Sequence, residues 1–172
     1  VIVKTVAVFG SALPTPDDPI YDVTRTIGRL LGEAGFAVIT GGYNGLMAAA
    51  SHGASEAGAQ VIGARCMALE RQRGIGPNKW VTECIDSDSL RDRLMVLVDT
   101  PDAYVIMPGG LGTLLELTFV ADSMRCGDIE RRPIICYGEF WRPVIKHVAE
   151  SGYMHHQGWG PLDFADTPEQ VV

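Results

Sequence analysis

The chain has 172 residues, 47% of them hydrophobic and 20% charged, with a formal net charge of −7. This suits one soluble globular domain with a substantial core, and the scattered Lys and Arg of an acidic chain argue against a nucleic-acid-binding surface. No apolar run reaches transmembrane length and no signal-peptide pattern appears, so a cytoplasmic location and no membrane partner are expected.

Strands and helices alternate along nearly the whole chain. Thr5 to Phe9 reads as a first strand, and Ile20 to Ala34 as a helix ended by Gly35. Phe36 to Thr40 is a second strand, and Gly41-Gly42-Tyr43-Asn44-Gly45 turns into an Ala-rich helix over 46–57. A third strand spans Val61 to Ala64, followed by a mobile loop over 65–79 that contains Gly74, Gly76 and Pro77. Val81 to Ile85 is a short strand and Ser89 to Val98 a helix, with Asp86 or Asp88 as its cap and the remaining charges solvated. Ala103 to Met107 is a strand, Leu114 to Met124 a helix, Arg132 to Cys136 a strand and Trp141 to Glu150 the last full helix. From Ser151 onward the pattern predicts only a tail, with a terminal turn at Pro168. This order predicts a single α/β domain over 1–172, a Rossmann-like open parallel sheet with helices on both faces.

The most informative stretch is Pro108-Gly109-Gly110-Leu111-Gly112-Thr113-Leu114-Leu115-Glu116. A strand that becomes a helix through three glycines gathers backbone N–H groups at a helix N-terminus, where the dipole favours an anion, most often a phosphate. Gly109, Gly110 and Gly112 admit close approach and a positive φ, and Thr113 can cap the helix or bind a phosphate oxygen. Glu116, one turn on, can aim its carboxylate at whatever the loop holds. The bland alternative is a glycine turn with a Thr113–Glu116 capping box. Gly10-Ser11 and Gly41-Gly42 end two other strands, and in an open parallel sheet such turns converge on one ligand. None matches the dinucleotide fingerprint or the Walker phosphate loop.

Other residues weigh less. Cys66, Cys84, Cys126 and Cys136 lack zinc-site spacing and read as reduced, mostly core cysteines. No metal is expected, and His155-His156 beside Trp159 reads as exposed tail. Met107, Tyr43 and Trp80 are the residues best placed to touch a base. A pyridoxal phosphate decarboxylase needs a Schiff-base lysine, and Lys4, Lys79 and Lys146 all fall at a chain end, in a loop or on an outer helix, so no cofactor is expected. The apolar helices after Gly45 and Thr113 predict a homodimer built on them.

With these residues in view, the chain resembles the LOG family, often labelled lysine decarboxylase-like. That family carries P-G-G-x-G-T-x-x-E, matched by Pro108 to Glu116, and G-G-x-x-G-L-M, matched by Gly41-Gly42 through Met47. Its Arg fifteen positions before the Pro falls on Arg93. Leu94 stands where the family usually has Lys, Leu115 where many members have an acid, and Ala48 where a glycine is common. The resemblance implies a homodimeric hydrolase that cleaves the N-glycosidic bond of a nucleoside 5′-monophosphate, AMP or a cytokinin riboside monophosphate, to free base and ribose 5-phosphate. It implies Glu116 and Arg93 as catalytic, with Gly42, Ser11 and Gly109 to Thr113 (through Gly110, Leu111 and Gly112) holding the phosphate. Gly10, Gly41, Tyr43 and Met107 complete the expected ligand site. The alternative is a nucleotide- or cofactor-binding carrier of the same superfamily, without catalysis.

Overall fold

In a computed structural model, residues 4–154 and 158–172 are described. Thr5–Phe9 forms β1, Pro19–Glu33 α1, Ala37–Thr40 β2, Leu46–Glu56 α2, Val61–Cys66 β3, Met67–Arg73 α3 and Glu83–Ser87 β4. Leu90–Asp99 forms α4, Ala103–Ile106 β5, Leu111–Cys126 α5, Ile134–Tyr137 β6, Arg142–Ala149 α6 and Leu162–Ala165 β7, before a 3-10 turn at Pro168–Val171. The seven strands lie in the order β4-β3-β2-β1-β5-β6-β7, and the paired strands are parallel. The expected Rossmann-like α/β sheet is therefore what forms.

Side-chain alternation along the strands divides the core between two faces. Val6, Val8, Val38, Val61 and Val105 pack with Ile27 and Leu31 of α1 and Leu46, Ala50 and Ala54 of α2. Ala7, Phe9, Ile39, Tyr104 and Ile106 face the other way, onto Leu97 of α4, Leu117 and Val120 of α5 and Ile145 of α6. Strands β1 to β4 are added towards one edge of the sheet and β5 to β7 towards the other, so the order of addition switches between β1 and β5. The crevice outside the C-terminal ends of those two strands is therefore where such a sheet takes a ligand.

Several boundaries differ from the sequence reading, each for a local reason. The expected mobile loop over 65–79 instead completes β3 and then forms α3. Met67 to Arg73 are mostly strong helix formers, and Gly74 closes the helix at φ 62°. The glycines and proline that signalled a loop lie beyond it. β4 begins two residues later than expected, because Thr82 is still exchanging bonds with Val61 as the strand enters the sheet edge. Ser89, rather than Asp86 or Asp88, caps α4 by accepting from the Asp92 N–H at 3.2 Å. Part of the expected tail pairs with β6 as β7, an edge strand too short and exposed to show periodicity. All four cysteines are free, but Cys84 and Cys126 are exposed, so only half of them are core. His155 and His156 lie outside the described residues. Among the described residues no helix is long and apolar enough to cross a membrane.

The small residues of α2 face α1. Ala49, Ala50 and Ala54 are fully buried within the chain. Gly28 and Gly53 let α1 and α2 approach so closely that a Cβ on Gly53 would lie 2.8 Å from the Arg25 carbonyl carbon. Gly53→Ala is expected to destabilise the chain by about 1–3 kcal/mol, the usual cost of overpacking against backbone that cannot move aside. Urea unfolding monitored by circular dichroism checks this.

Candidate functional site

Three strand-end turns are joined through their backbones. The Ser11 N–H donates to the Pro108 carbonyl at 3.0 Å, and the Leu46 N–H donates to the Ser11 carbonyl at 2.8 Å. A Cβ on Gly10 would sit 3.0 Å from the Cβ atoms of both Leu46 and Met107. Gly45, at φ 67°, passes so close to Ala12 that a Cβ would lie 2.5 Å from its Cα. The turns after β1, β2 and β5 thus form one floor. The Ser11 hydroxyl accepts from the Leu13 N–H at 3.1 Å and keeps its own proton to donate.

On this floor the Pro108 segment opens α5 one turn earlier than the sequence pattern indicated. Gly110 is the N-cap, and no side chain caps the helix. Thr113 is therefore not the cap. It is 3% exposed, tucked beneath Gly109 so that a Cβ there would collide with its side chain. The capping-box alternative for Glu116 falls with it. Among the described residues, the N–H groups of Gly109, Gly110, Leu111, Gly112 and Thr113 have no hydrogen-bond acceptor, and pairing starts with Leu114 N–H to Gly110 O at 2.9 Å. None of Gly109, Gly110 and Gly112 takes a positive φ, contrary to the expectation. At Gly110 and Gly112 a Cβ would meet nothing within 4 Å, so what their lack of side chain provides is room for a ligand.

Glu116 sits in the second turn of α5, half-buried. Burial pushes its carboxyl up to about 7, while the positive charge of Arg93 pulls the other way. Arg93 comes from the first turn of α4, the neighbouring helix on the same face of the sheet. Its Nε donates to the Ala64 carbonyl at 2.8 Å, and its guanidinium lies 5.4 Å from the Tyr43 ring centroid. It also roofs Gly41, where a Cβ would fall 3.0 Å from Cζ. Among the described residues Arg93 makes no ion pair, so a cation stands near a carboxyl of raised pKa beside an anion-ready helix start.

Not every expected ligand contact reaches this space. Tyr43 is 5% exposed, with its hydroxyl engaged by Cys66 and Glu70, so it lies under Arg93 rather than facing a ligand. The Gly42 N–H is spent on Thr40 Oγ1 at 3.0 Å, turning it away from any phosphate. The Met107 side chain is fully buried in the α1–α2 face. Trp80 stacks on His52 at 4.3 Å, with the Lys79 ammonium over its ring. Gly10, Ser11, Gly109, Gly110, Leu111 and Gly112 remain around these strand ends, while Gly41 is buried beneath Arg93.

Two residues that hold the site were missed. Asn78 fixes the second turn by donating to Gly42 O at 3.1 Å and Tyr43 O at 3.0 Å. Trp141 anchors the end of β5 by donating from Nε1 to Met107 O at 2.9 Å. The one sequence signal for Trp141 was its place just beyond a strand end. Lys4, Lys79 and Lys146 are all exposed.

The chain is similar in sequence and fold to known proteins. The family described as "Possible lysine decarboxylase" matches residues 47–172. A Mycobacterium marinum cytokinin riboside 5′-monophosphate phosphoribohydrolase is 25% identical over 98% of this chain and 91% of its own. The Oryza sativa subsp. japonica cytokinin riboside 5′-monophosphate phosphoribohydrolase LOG is 31% identical over 74% of this chain and 52% of its own. A molybdenum cofactor binding protein from Rippkaea orientalis shares the fold at a TM-score of 0.76 and 21% identity, over 99% of this chain and 93% of its own. With most of the chain matched, glycine turn and Glu116 included, it belongs to this LOG-type family of possible lysine decarboxylases.

Proposed function

We propose that this chain hydrolyses the N-glycosidic bond of a nucleoside 5′-monophosphate, AMP or a cytokinin riboside monophosphate, to free base and ribose 5-phosphate. The observation that carries the reading is Glu116: a carboxyl held near neutrality by burial, coupled to Arg93, one turn beyond unpaired N–H groups. The 5′-phosphate would lie against the N–H groups of Gly109 to Thr113, with the Ser11 hydroxyl within the same floor. Its binding there draws on both the unpaired donors and the dipole of a 16-residue helix. Water adds to C1′ as the C1′–N bond breaks, and the proton that water loses balances the one the departing base gains. The transition state is oxocarbenium-like, and an ionised Glu116 either accepts that proton or stabilises the positive charge. Arg93 would neutralise negative charge on the phosphate or the departing base.

The relatives' names support this reading, and homodimerisation goes with it. A second copy would meet α5, where Leu115 stays 53% exposed. A Schiff-base decarboxylase finds no buried lysine here. The second reading, a nucleotide or cofactor carrier, is favoured by the fold shared with the Rippkaea orientalis protein, since the glycine turn would bind an anion without any chemistry.

The pH dependence of turnover tests the role of Glu116. Since the ionised form does the work, kcat/KM for base release should rise tenfold per pH unit below about 7 and level off above it. A profile that falls with rising pH through this range would assign Glu116 as a proton donor instead.

A further inference from the structure

Behind Arg93 lies a buried polar chain that a simple core would not contain. Glu70 of α3 is 8% exposed and takes two bonds from Arg65, Nε to Oε1 at 2.8 Å and Nη2 to Oε2 at 2.6 Å. Arg65 also reaches Asp86 at 3.2 Å, so its charge is offset on both sides. The Tyr43 hydroxyl accepts from the Cys66 N–H at 2.8 Å and donates to Glu70 Oε1 at 3.2 Å. Arg93 lies over the other end of that side chain, on the ring. Phe would fill the space under Arg93 without any buried carboxylate, and burying Glu70 carries a desolvation cost. Its partners also matter for Arg93. With Arg65 and Tyr43 occupying both Glu70 oxygens, the carboxylate does not draw Arg93 inward. Arg93, with no ion pair among the described residues, rests on a fixed aromatic seat, which a weakly hydrated planar cation favours.

We propose that Tyr43 and Glu70 are positioning residues, acting through Arg93 to hold its guanidinium toward the phosphorylated ligand of the glycine turn. This rests on the nucleotide reading of that turn.

A double-mutant cycle with two readouts tests it. AMP affinity is measured by calorimetry in a Glu116→Gln background, where AMP is not consumed, for Tyr43→Leu, Arg93→Ala and the pair. In parallel, phenylglyoxal labelling of Arg93 is followed by peptide mass spectrometry on the ligand-free chain. Tyr43→Leu should weaken AMP binding about tenfold and speed Arg93 labelling by a similar factor. The affinity loss should vanish once Arg93 is already Ala, because the two residues act as one unit. Tyr43→Phe, which keeps the ring but loses the hydroxyl that ties it to Glu70, should recover only part of the affinity. Independent, multiplying losses with unchanged labelling would overturn the proposal. If AMP does not bind at all but labelling still accelerates, the positioning role stands and the nucleotide reading falls. If neither responds, both fall. Should Tyr43→Leu fail to fold, Glu70→Gln replaces it in the same cycle with the same expectations.

Discussion

Glu116→Gln is expected to cut base release at least about a hundredfold while leaving nucleotide affinity nearly unchanged, the scale of losing one preorganised electrostatic group. The amide keeps the shape of the carboxyl and loses the charge that meets the oxocarbenium ion. The same substitution should stabilise the fold, and the sign follows from the raised carboxyl. A Glu that ionises near 4.5 when unfolded and about 7 when folded leaves stability untouched below 4.5. It opposes folding increasingly as pH rises towards 7, by roughly 3 kcal/mol once ionised. Glu116→Gln should therefore raise the melting temperature at pH 8 and lose that gain near pH 4. Calorimetric melts at the two pH values, beside a base-release assay, check both halves. A gain in stability with a loss of turnover is what a strained functional group produces, whereas a structural residue would lose stability as well.

Arg93→Ala should reduce both affinity and turnover, by about tenfold or more in kcat/KM, since a cation beside a phosphorylated ligand helps ground and transition states alike. It should also move the ascending limb of the pH profile to higher pH. Arg93 lowers the Glu116 carboxyl, so its removal lets burial act unopposed. Arg93→Lys should rescue only part of the loss. A lysine keeps the charge but has no Nε–H for the Ala64 carbonyl and no planar face for the Tyr43 ring. Steady-state kinetics across pH 5 to 9 reads all three effects.

What the sequence made legible follows burial. β1, β2 and β5 are the central strands, covered on both faces, and so stood out as short apolar runs. β4 and β7 are edge strands with exposed, charged positions, so β4 was read two residues early and β7 not at all. α3 was hidden by the Gly74-to-Pro77 cluster that follows it, although its own residues are good helix formers. At the candidate site, the three glycines and Glu116 were legible because a strand–glycine–helix turn constrains residue type directly, whereas Arg93 entered only through the family resemblance. Tyr43 and Met107 were expected to face a ligand, but both side chains turn into the interior. A turn of unknown twist does not reveal which of its side chains points down. Trp141, which holds β5 through one indole N–H, has no spacing rule that would mark it.

The most direct test is to incubate the purified chain with AMP and with isopentenyladenosine monophosphate and to quantify free base and ribose 5-phosphate by chromatography. The hydrolase reading predicts that both products appear in equal amounts from at least one of the two nucleotides, and that Glu116→Gln stops their release. Tight binding of a nucleotide with no base released would contradict it and leave the carrier reading in its place.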